Sequence, residues 1–237
     1  MKKLKGDVAI ELTRRCNQNC EHCLRGCSEN IDSTKAIIRK TLTSYSYIPS
    51  LTLTGGEPTL VDDLIKYAID TMIEKKIPYG GVYIVTNGMR YSRRLINSMR
   101  KAYQNADVPE ICGLCVSVDE YHRPYSTEAY DNYSMEPYFR TDKEVDAEKR
   151  KYRKIINEGN AYWNGISQLN RAYNDHIHRN QANIDDEGIE YYDDLVYVSS
   201  NGNVVFDCDM SYDNIDMNTV GNIRESSLYD IVAANVR

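Results

Sequence analysis

Apolar residues in the first half of the chain fall into short strand-like runs separated by longer stretches of helical period. Asp7–Leu12 reads as a first strand. Residues 13 to 32 lose all apolar periodicity and predict a loop. Ser33–Tyr45 predicts a helix, with Ser33 or Asp32 as its cap. From Ser50 the alternation Ser-Leu-Thr-Leu-Thr predicts a second strand, which runs into Gly55-Gly56-Glu57-Pro58. Leu60, Val61, Leu64, Ile65, Ala68, Ile69, Met72 and Ile73 keep helical spacing through Lys76. A third strand begins at Val82 and ends in Thr86-Asn87-Gly88. A helix over Ser92–Ala102 turns Leu95, Ile96 and Met99 inward, and a fourth strand, Ile111–Val118, ends at Ser117-Val118-Asp119. Strands alternating with helices predict a parallel sheet, and polar residues recur at the C-terminal strand ends, where such folds gather ligands. The two glycines at 55 and 56 would let a ligand approach the backbone, and Pro58 suits the first turn of the next helix.

The pattern loosens beyond Asp119. Residues 120 to 141 are rich in tyrosine and predict a packed surface loop or a lid. A charged helix is expected from Asp142 to about Asn157 and a fifth strand over Ala161–Ile166. Between Ser167 and Glu190, where Arg171, His176 and His178 stand, no sixth strand is visible. Leu195–Phe206 predicts a hairpin with Asn201-Gly202 as a type I′ turn, followed by Cys208, by Gly221-Asn222-Ile223 and by a short helix from Ser226.

The length, 237 residues, suits one large α/β domain with a small appendage. No stretch approaches the roughly 20 apolar residues of a membrane span. A net charge of −6 argues against non-specific nucleic-acid binding, which calls for a basic footprint. Seven cysteines, an odd number, behind a Met-Lys-Lys-Leu-Lys start point to free thiols in a reducing cytoplasm rather than to disulfides.

Three of those cysteines change the picture. Cys16, Cys20 and Cys23 form a C-x3-C-x2-C triplet just after the first strand. Three thiolates can hold three irons of a four-iron four-sulfur cubane and leave the fourth open to chelate a small molecule and pass it an electron. A zinc reading would draft Cys27 as a fourth ligand, at a spacing foreign to common zinc modules. Cys112 and Cys115 stand three apart, so in a strand they point to opposite faces and cannot share a metal. Cys115 then faces the sheet's inner side with Ser117 and Asp119, and Cys112 the helices. Each reads best as a small buried hydrophobe.

The triplet, Gly55-Gly56-Glu57-Pro58, Thr86-Asn87-Gly88 and Ser117-Val118-Asp119, in this order and one βα unit apart, resemble the radical S-adenosylmethionine (radical SAM) superfamily. That resemblance implies an α/β fold, a partial (β/α)6-type barrel with a short C-terminal hairpin and helix extension, divided into a core of residues 1–190 and an extension of 191–237. It implies one 4Fe-4S cluster on Cys16, Cys20 and Cys23. S-adenosylmethionine would be chelated by the open iron, its ammonium held by Gly55, Gly56 and Glu57, with Thr86, Asn87, Ser117 and Asp119 along its methionyl and ribose positions. Reductive cleavage would yield a 5′-deoxyadenosyl radical that abstracts a substrate hydrogen, with electrons from a donor such as flavodoxin or ferredoxin. The C-terminal segment resembles a degenerate SPASM or twitch extension of peptide-modifying enzymes, reduced to Cys208 alone, with Ser199 and Ser200 in the neighbourhood where another cysteine would be sought. The expected substrate is a peptide or protein. A small metabolite or nucleotide-like substrate is the alternative, and a non-enzymatic metal-binding module the reading of another class.

Overall fold

The computed structural model of the chain describes residues 2–118, 121–122, 125–141, 155–168, 182–191 and 195–236. Strands β1 (Lys3–Lys5) and β2 (Val8–Thr13) lie end to end along one side of the long β3 (Tyr45–Gly55), and β4 (Tyr79–Thr86) lies along its other side. Pro49 sits where β3 passes from β1 to β2, so its missing N–H interrupts neither pairing. Beyond β4 come β5 (Gly113–Val116) and β6 (Phe139–Thr141), and β9 (Val196–Val198) returns to pair with β2 on its free side. All these neighbours are parallel, and among the described residues the sheet stays open rather than closing into a barrel. Helices α1 (Lys35–Thr43), α2 (Asp62–Glu74), α3 (Arg93–Asn105) and α4 (Thr127–Ser134) connect the strands from β2 to β6.

Alternation along each strand divides the molecule. Val8, Ile10 and Leu12 of β2, Leu51 and Leu53 of β3, Val82 and Ile84 of β4, and Leu114 and Val116 of β5 enter the main core with Ile38, Ile65, Ile69, Leu95 and Met99 of the helices. Cys112 is buried in the same core, whereas Cys115, equally buried, is outside it, as the opposite-face argument requires. On the inner face Ala9 packs with Tyr197, Val205, Met210, Tyr212 and Ile215. The last four belong to or flank β10 (Asn203–Val205) and α6 (Tyr212–Met217). The chain then finishes through β11 (Gly221–Asn222) and α7 (Leu228–Ala233).

Several expectations are corrected. The first helix starts at Lys35 because Thr34, not Ser33 or Asp32, takes the cap, its hydroxyl accepting from Ile37 N, and Tyr45 is drawn into β3 opposite Leu4. The second helix stops at Glu74, and Lys76 follows with φ +53°, a left-handed turn residue. The fifth parallel strand is β6, inside the tyrosine-rich stretch that had suggested only a loop. Ala161–Ile166 is no strand: Gly159–Trp163 forms α5, seated on the 13–32 loop by Asn160 N to Cys23 O at 2.9 Å and Asn160 Nδ2 to Cys20 O at 3.0 Å. Two further strands, β7 (Ala182–Ile184) and β8 (Gly188–Tyr191), lie where none was expected, and β8 pairs with β1. The hairpin of β9 and β10 forms as predicted but not around a type I′ turn, since Asn201 lacks a positive φ. Gly202 alone carries φ +90°, with Gly202 N bonded to Ser199 O and Ser199 N to Asn203 O, a three-residue loop with a glycine bulge. The expected helix from 142 lies largely outside the described residues, as do Arg171, His176 and His178.

One buried cation binds the parts that surround the 13–32 loop. Arg14, 1% exposed, donates Nε to Glu11, Nη1 to Glu29 and Asp216, and Nη2 to Asp216, and its guanidinium lies over the Tyr212 ring. Glu11 in turn accepts from Tyr197 and from the backbone and hydroxyl of Ser200. The loop's root, its far limb and α6 thus meet at one side chain. Arg14→Ala is expected to cost about 3 kcal/mol or more, because it strands Glu11 in the interior. The double variant Glu11→Gln/Arg14→Met should lose less than Arg14→Ala alone. Urea unfolding of the metal-free protein checks both, and a single-variant loss below about 0.5 kcal/mol, the level of an ordinary surface substitution, would contradict this role.

Candidate functional site

The 13–32 loop is anchored at its neck. Thr13 bridges to Asp32, its hydroxyl donating at 2.6 Å, and Arg15 grips Asp32 with two bonds of 2.8 and 2.7 Å. Arg15 and Thr13 hold Asp32 below the ordinary carboxylate range although burial pushes the other way. The end of β3 then runs tightly against this neck, with Gly56 N bonded to Thr13 O and Glu57 N to Arg15 O, both at 2.8 Å. A side chain is excluded there: a Cβ on Gly55 would stand 2.3 Å from Thr13 O, one on Gly56 2.3 Å from Arg15 O, and Gly55 has φ +151°. The close approach that these glycines permit is therefore made by the protein's own backbone.

Glu57, 1% exposed, organises the adjoining strand ends. Its Oε1 accepts from Thr59 N, Thr59 Oγ1 and Thr86 Oγ1 at 2.9, 2.6 and 2.8 Å, and its Oε2 accepts from Asn87 N at 2.8 Å. A carboxylate offers about four acceptor positions, two on each oxygen. Oε1 is saturated, and Oε2 retains capacity for one more donor. Asn87 passes the connection on to the loop, its Nδ2 donating to Asn17 Oδ1 at 2.8 Å and lying 3.9 Å from Cys16 Sγ.

These elements enclose one cavity of about 710 Å³. Cys16, Cys20 and Cys23 line it together with Gly55, Gly56, Glu57, Thr86, Asn87 and Ser117. Asp119 lies outside the described residues. Sequence reasoning missed His22, Arg25 and Thr54, which also face it, as do Tyr121 and His122 of the stretch read as a surface loop or a lid. His22 and Arg25 flank Cys23 in sequence and could have been marked by position. His22 meets the rings of Tyr121 and His122 at 4.8 and 4.9 Å between centroids, a contact no spacing rule announces. Arg25 lies over the Tyr197 ring and donates to Met210 O at 2.6 Å, joining the cavity to the C-terminal segment.

Two other cysteines part company with the triplet. Cys27 is exposed and faces a separate cavity of about 410 Å³, against α5 and the start of α6. Cys208 is not among the residues lining the larger cavity, and burial, with Asp209 beside it, pushes its thiol up to about 12.

The three cysteines on this cavity fit the ligand demand of a cubane. Among the described residues no three His, Cys, Asp or Glu side chains are arranged to hold a single metal ion. Three thiols spread around one cavity, each for its own iron, are what a cubane requires. Gln18 adds a second sign: it lines the same cavity, and its Nε2 is buried with no hydrogen-bond partner. Burial pushes the Cys16 thiol up, while the N–H groups of Gln18 and Asn17 favour its charged form.

The sequence model described as Radical SAM superfamily matches residues 10–131. Pre-heme d1 synthase of Dinoroseobacter shibae (strain DSM 16493 / NCIMB 14021 / DFL 12) is 44% identical over 67 residues, 26% of this chain and 16% of that protein. "Putative peptide biosynthesis protein YydG" of Bacillus subtilis (strain 168) is 26% identical over 125 residues, 50% of this chain and 37% of that protein. The matches thus span well under half the length of these relatives. Among solved structures, native anSMEcpe with bound AdoMet and Cp18Cys peptide superposes with a TM-score of 0.55 at 15% identity, covering 96% of this chain and 80% of that one, a likeness of fold. Among the described residues no helix is long and apolar enough to cross a membrane.

Gly56→Ala is expected to destabilise the fold by about 1–3 kcal/mol, the usual cost of forcing atoms into a packed site. Because the strain falls on Arg15 O, thiol-labelling of Cys16 in the metal-free protein should accelerate as well. Unchanged stability and labelling would show that the neck yields freely.

Proposed function

The chain belongs to the radical SAM superfamily and is an enzyme, and on that premise we propose that it cleaves S-adenosylmethionine reductively and uses the radical formed to modify a peptide or protein. The observation that carries this reading is the convergence of Cys16, Cys20 and Cys23 with Gly55, Gly56, Glu57, Thr86, Asn87 and Ser117 on a single cavity. Cys16, Cys20 and Cys23 are assigned to a 4Fe-4S cluster, which when bound supplies the electron that breaks the sulfonium carbon–sulfur bond. The remaining acceptor position on Glu57 Oε2 and the backbone at Gly55 and Gly56 receive the methionyl ammonium. Thr86, Asn87 and Ser117 line the methionyl and ribose positions, and Asp119 is assigned there by its place in the motif. We propose one cluster only, since the extension proposed for residues 191–237 contributes the single thiol of Cys208, beside a core of residues 1–190. A flavodoxin or ferredoxin is the proposed electron donor.

Peptide modification is favoured over a small substrate on two grounds. The sheet is open, and the inner-face side chain of Val85 is 37% exposed on the cavity wall. The likeness to YydG covers half of the chain, whereas that to pre-heme d1 synthase covers 26%. A small metabolite is the competing substrate class.

Anaerobic reconstitution should give about four irons and four sulfides per chain, abolished by replacing Cys16, Cys20 or Cys23 with Ala. Stoichiometric zinc without sulfide would sink the assignment. With dithionite and S-adenosylmethionine, the loaded protein should release 5′-deoxyadenosine and methionine even without substrate. Glu57→Gln should weaken S-adenosylmethionine binding about tenfold, the equivalent of one lost charge-assisted hydrogen bond of about 1.4 kcal/mol, with iron content retained. Loss of iron with intact cofactor affinity would reverse the role given to Glu57. A short peptide encoded beside the gene should raise 5′-deoxyadenosine formation and change in mass, and a response to metabolites alone would favour the competing class.

A further inference from the structure

Gln18 stands between two of the three cysteines and touches both. Its backbone N–H donates to Cys16 Sγ at 3.4 Å, and its side-chain Oε1 accepts from the Cys20 thiol at 3.2 Å. Gln18 is 7% exposed and lines the cavity, and its Nε2 is buried without a partner. This arrangement satisfies the amide oxygen only while Cys20 carries its proton. A cysteine bound to iron is a thiolate, an acceptor with nothing to donate. The same carboxamide, still within reach of the sulfur, then meets it with the wrong atom. Half a turn about the last side-chain bond exchanges oxygen and nitrogen at no steric cost. It places an N–H against Cys20 Sγ and removes the unpartnered donor in one movement.

Resting on the cluster reading above, we propose that Gln18 is a tuning residue for the cluster, its side-chain amide donating to the Cys20 thiolate as its backbone amide donates to Cys16. Hydrogen bonds to the sulfurs are one of the means by which proteins set cluster potentials. Adding one electron makes the cluster more negative, so donors to its sulfurs stabilise the reduced form more than the oxidised one and raise the midpoint. The residue acts on the ease of the one-electron reduction and not on cluster assembly.

The test is a redox titration of the reconstituted protein without S-adenosylmethionine, the reduced state read by electron paramagnetic resonance and dithionite or titanium(III) citrate supplying the electron. Gln18→Leu keeps the bulk and removes the donor. Its midpoint should fall so that, at a fixed ambient potential, the ratio of reduced to oxidised cluster drops about tenfold, or about 59 mV for one electron. Iron and sulfide content should match the parent. Gln18→Glu, of the same shape but without an N–H and with a negative charge, should fall at least as far. Midpoints equal to the parent's in both variants, or a rise in Gln18→Leu, would overturn the proposal. Loss of iron in both would assign Gln18 to assembly and overturn the tuning role. A parent protein that takes up no iron and sulfide fails earlier, at the cluster reading itself, and takes the proposal with it.

Discussion

A loop that must present three thiols to one cavity has no repeating backbone hydrogen bonds to hold it, and ordering each of its residues costs about 1–2 kcal/mol. The guanidinium of Arg14 is the constraint that offsets this. It is planar, permanently charged and forked, so one side chain engages Glu11 at the strand, Glu29 at the far limb of the loop and Asp216 on α6. Burial alone would weaken its charge, but the three carboxylates raise its affinity for the proton above the usual arginine range, so the cation is secure. The same attraction, with Asn201 and Asn203 donating beside it, holds Asp216 below its ordinary range against the effect of burial. Every other fastening of the loop, from the Thr13–Asp32 bridge to the contact with Gly56, acts within the frame that this centre defines.

The cavity is built largely by groups that satisfy one another. Glu57 spends most of its acceptor capacity on Thr59, Thr86 and Asn87, and Asn87 is committed to Asn17. What remains for a ligand is a few positions on a rigid wall, which is how a preorganised site is made from mostly intramolecular bonds. Arg25 performs a comparable office on the other side, bridging the triplet and the C-terminal segment through Tyr197 and Met210.

Much of the site was legible because each motif carries a local reason for its place. Gly55 and Gly56 mark a close approach wherever they occur, and only the identity of the approaching group, the neck at Thr13 and Arg15, needed three dimensions. Strands β2 to β5 were legible from alternation and periodicity, whereas the three-residue β1 and the first part of β3, where a helix was expected to reach Tyr45, were not. Among the strands beyond them only the β9–β10 hairpin announced itself; β6, β7 and β8 hold three or four residues, too short for alternation to register, and their pairing is decided by distant partners. Tyr191 is an example, its hydroxyl bonded to Asp7 O and to Tyr45 while its ring fills the space left by Gly6. Likewise α5 takes its form from capping contacts with Cys20 and Cys23 that composition does not encode. Arg14 itself looks like any loop arginine until Asp216 arrives.

That arrival fixes an order of events. Val8 pairs with Val196 and Arg14 with Asp216, across almost the whole described chain. Such remote contacts are slow to form because the chain between them must first be organised. During synthesis, which proceeds from the N-terminus at about 5–20 residues per second, the three cysteines emerge well before the groups that complete their loop. For that interval of about ten seconds or more the thiols are presented by an unfinished frame, with Glu11 lacking Tyr197 and Ser200 and Arg14 lacking Asp216. Ordering of the 13–32 loop is therefore coupled to folding of the β9–β10 hairpin and α6, which supply Tyr197, Ser200 and Asp216.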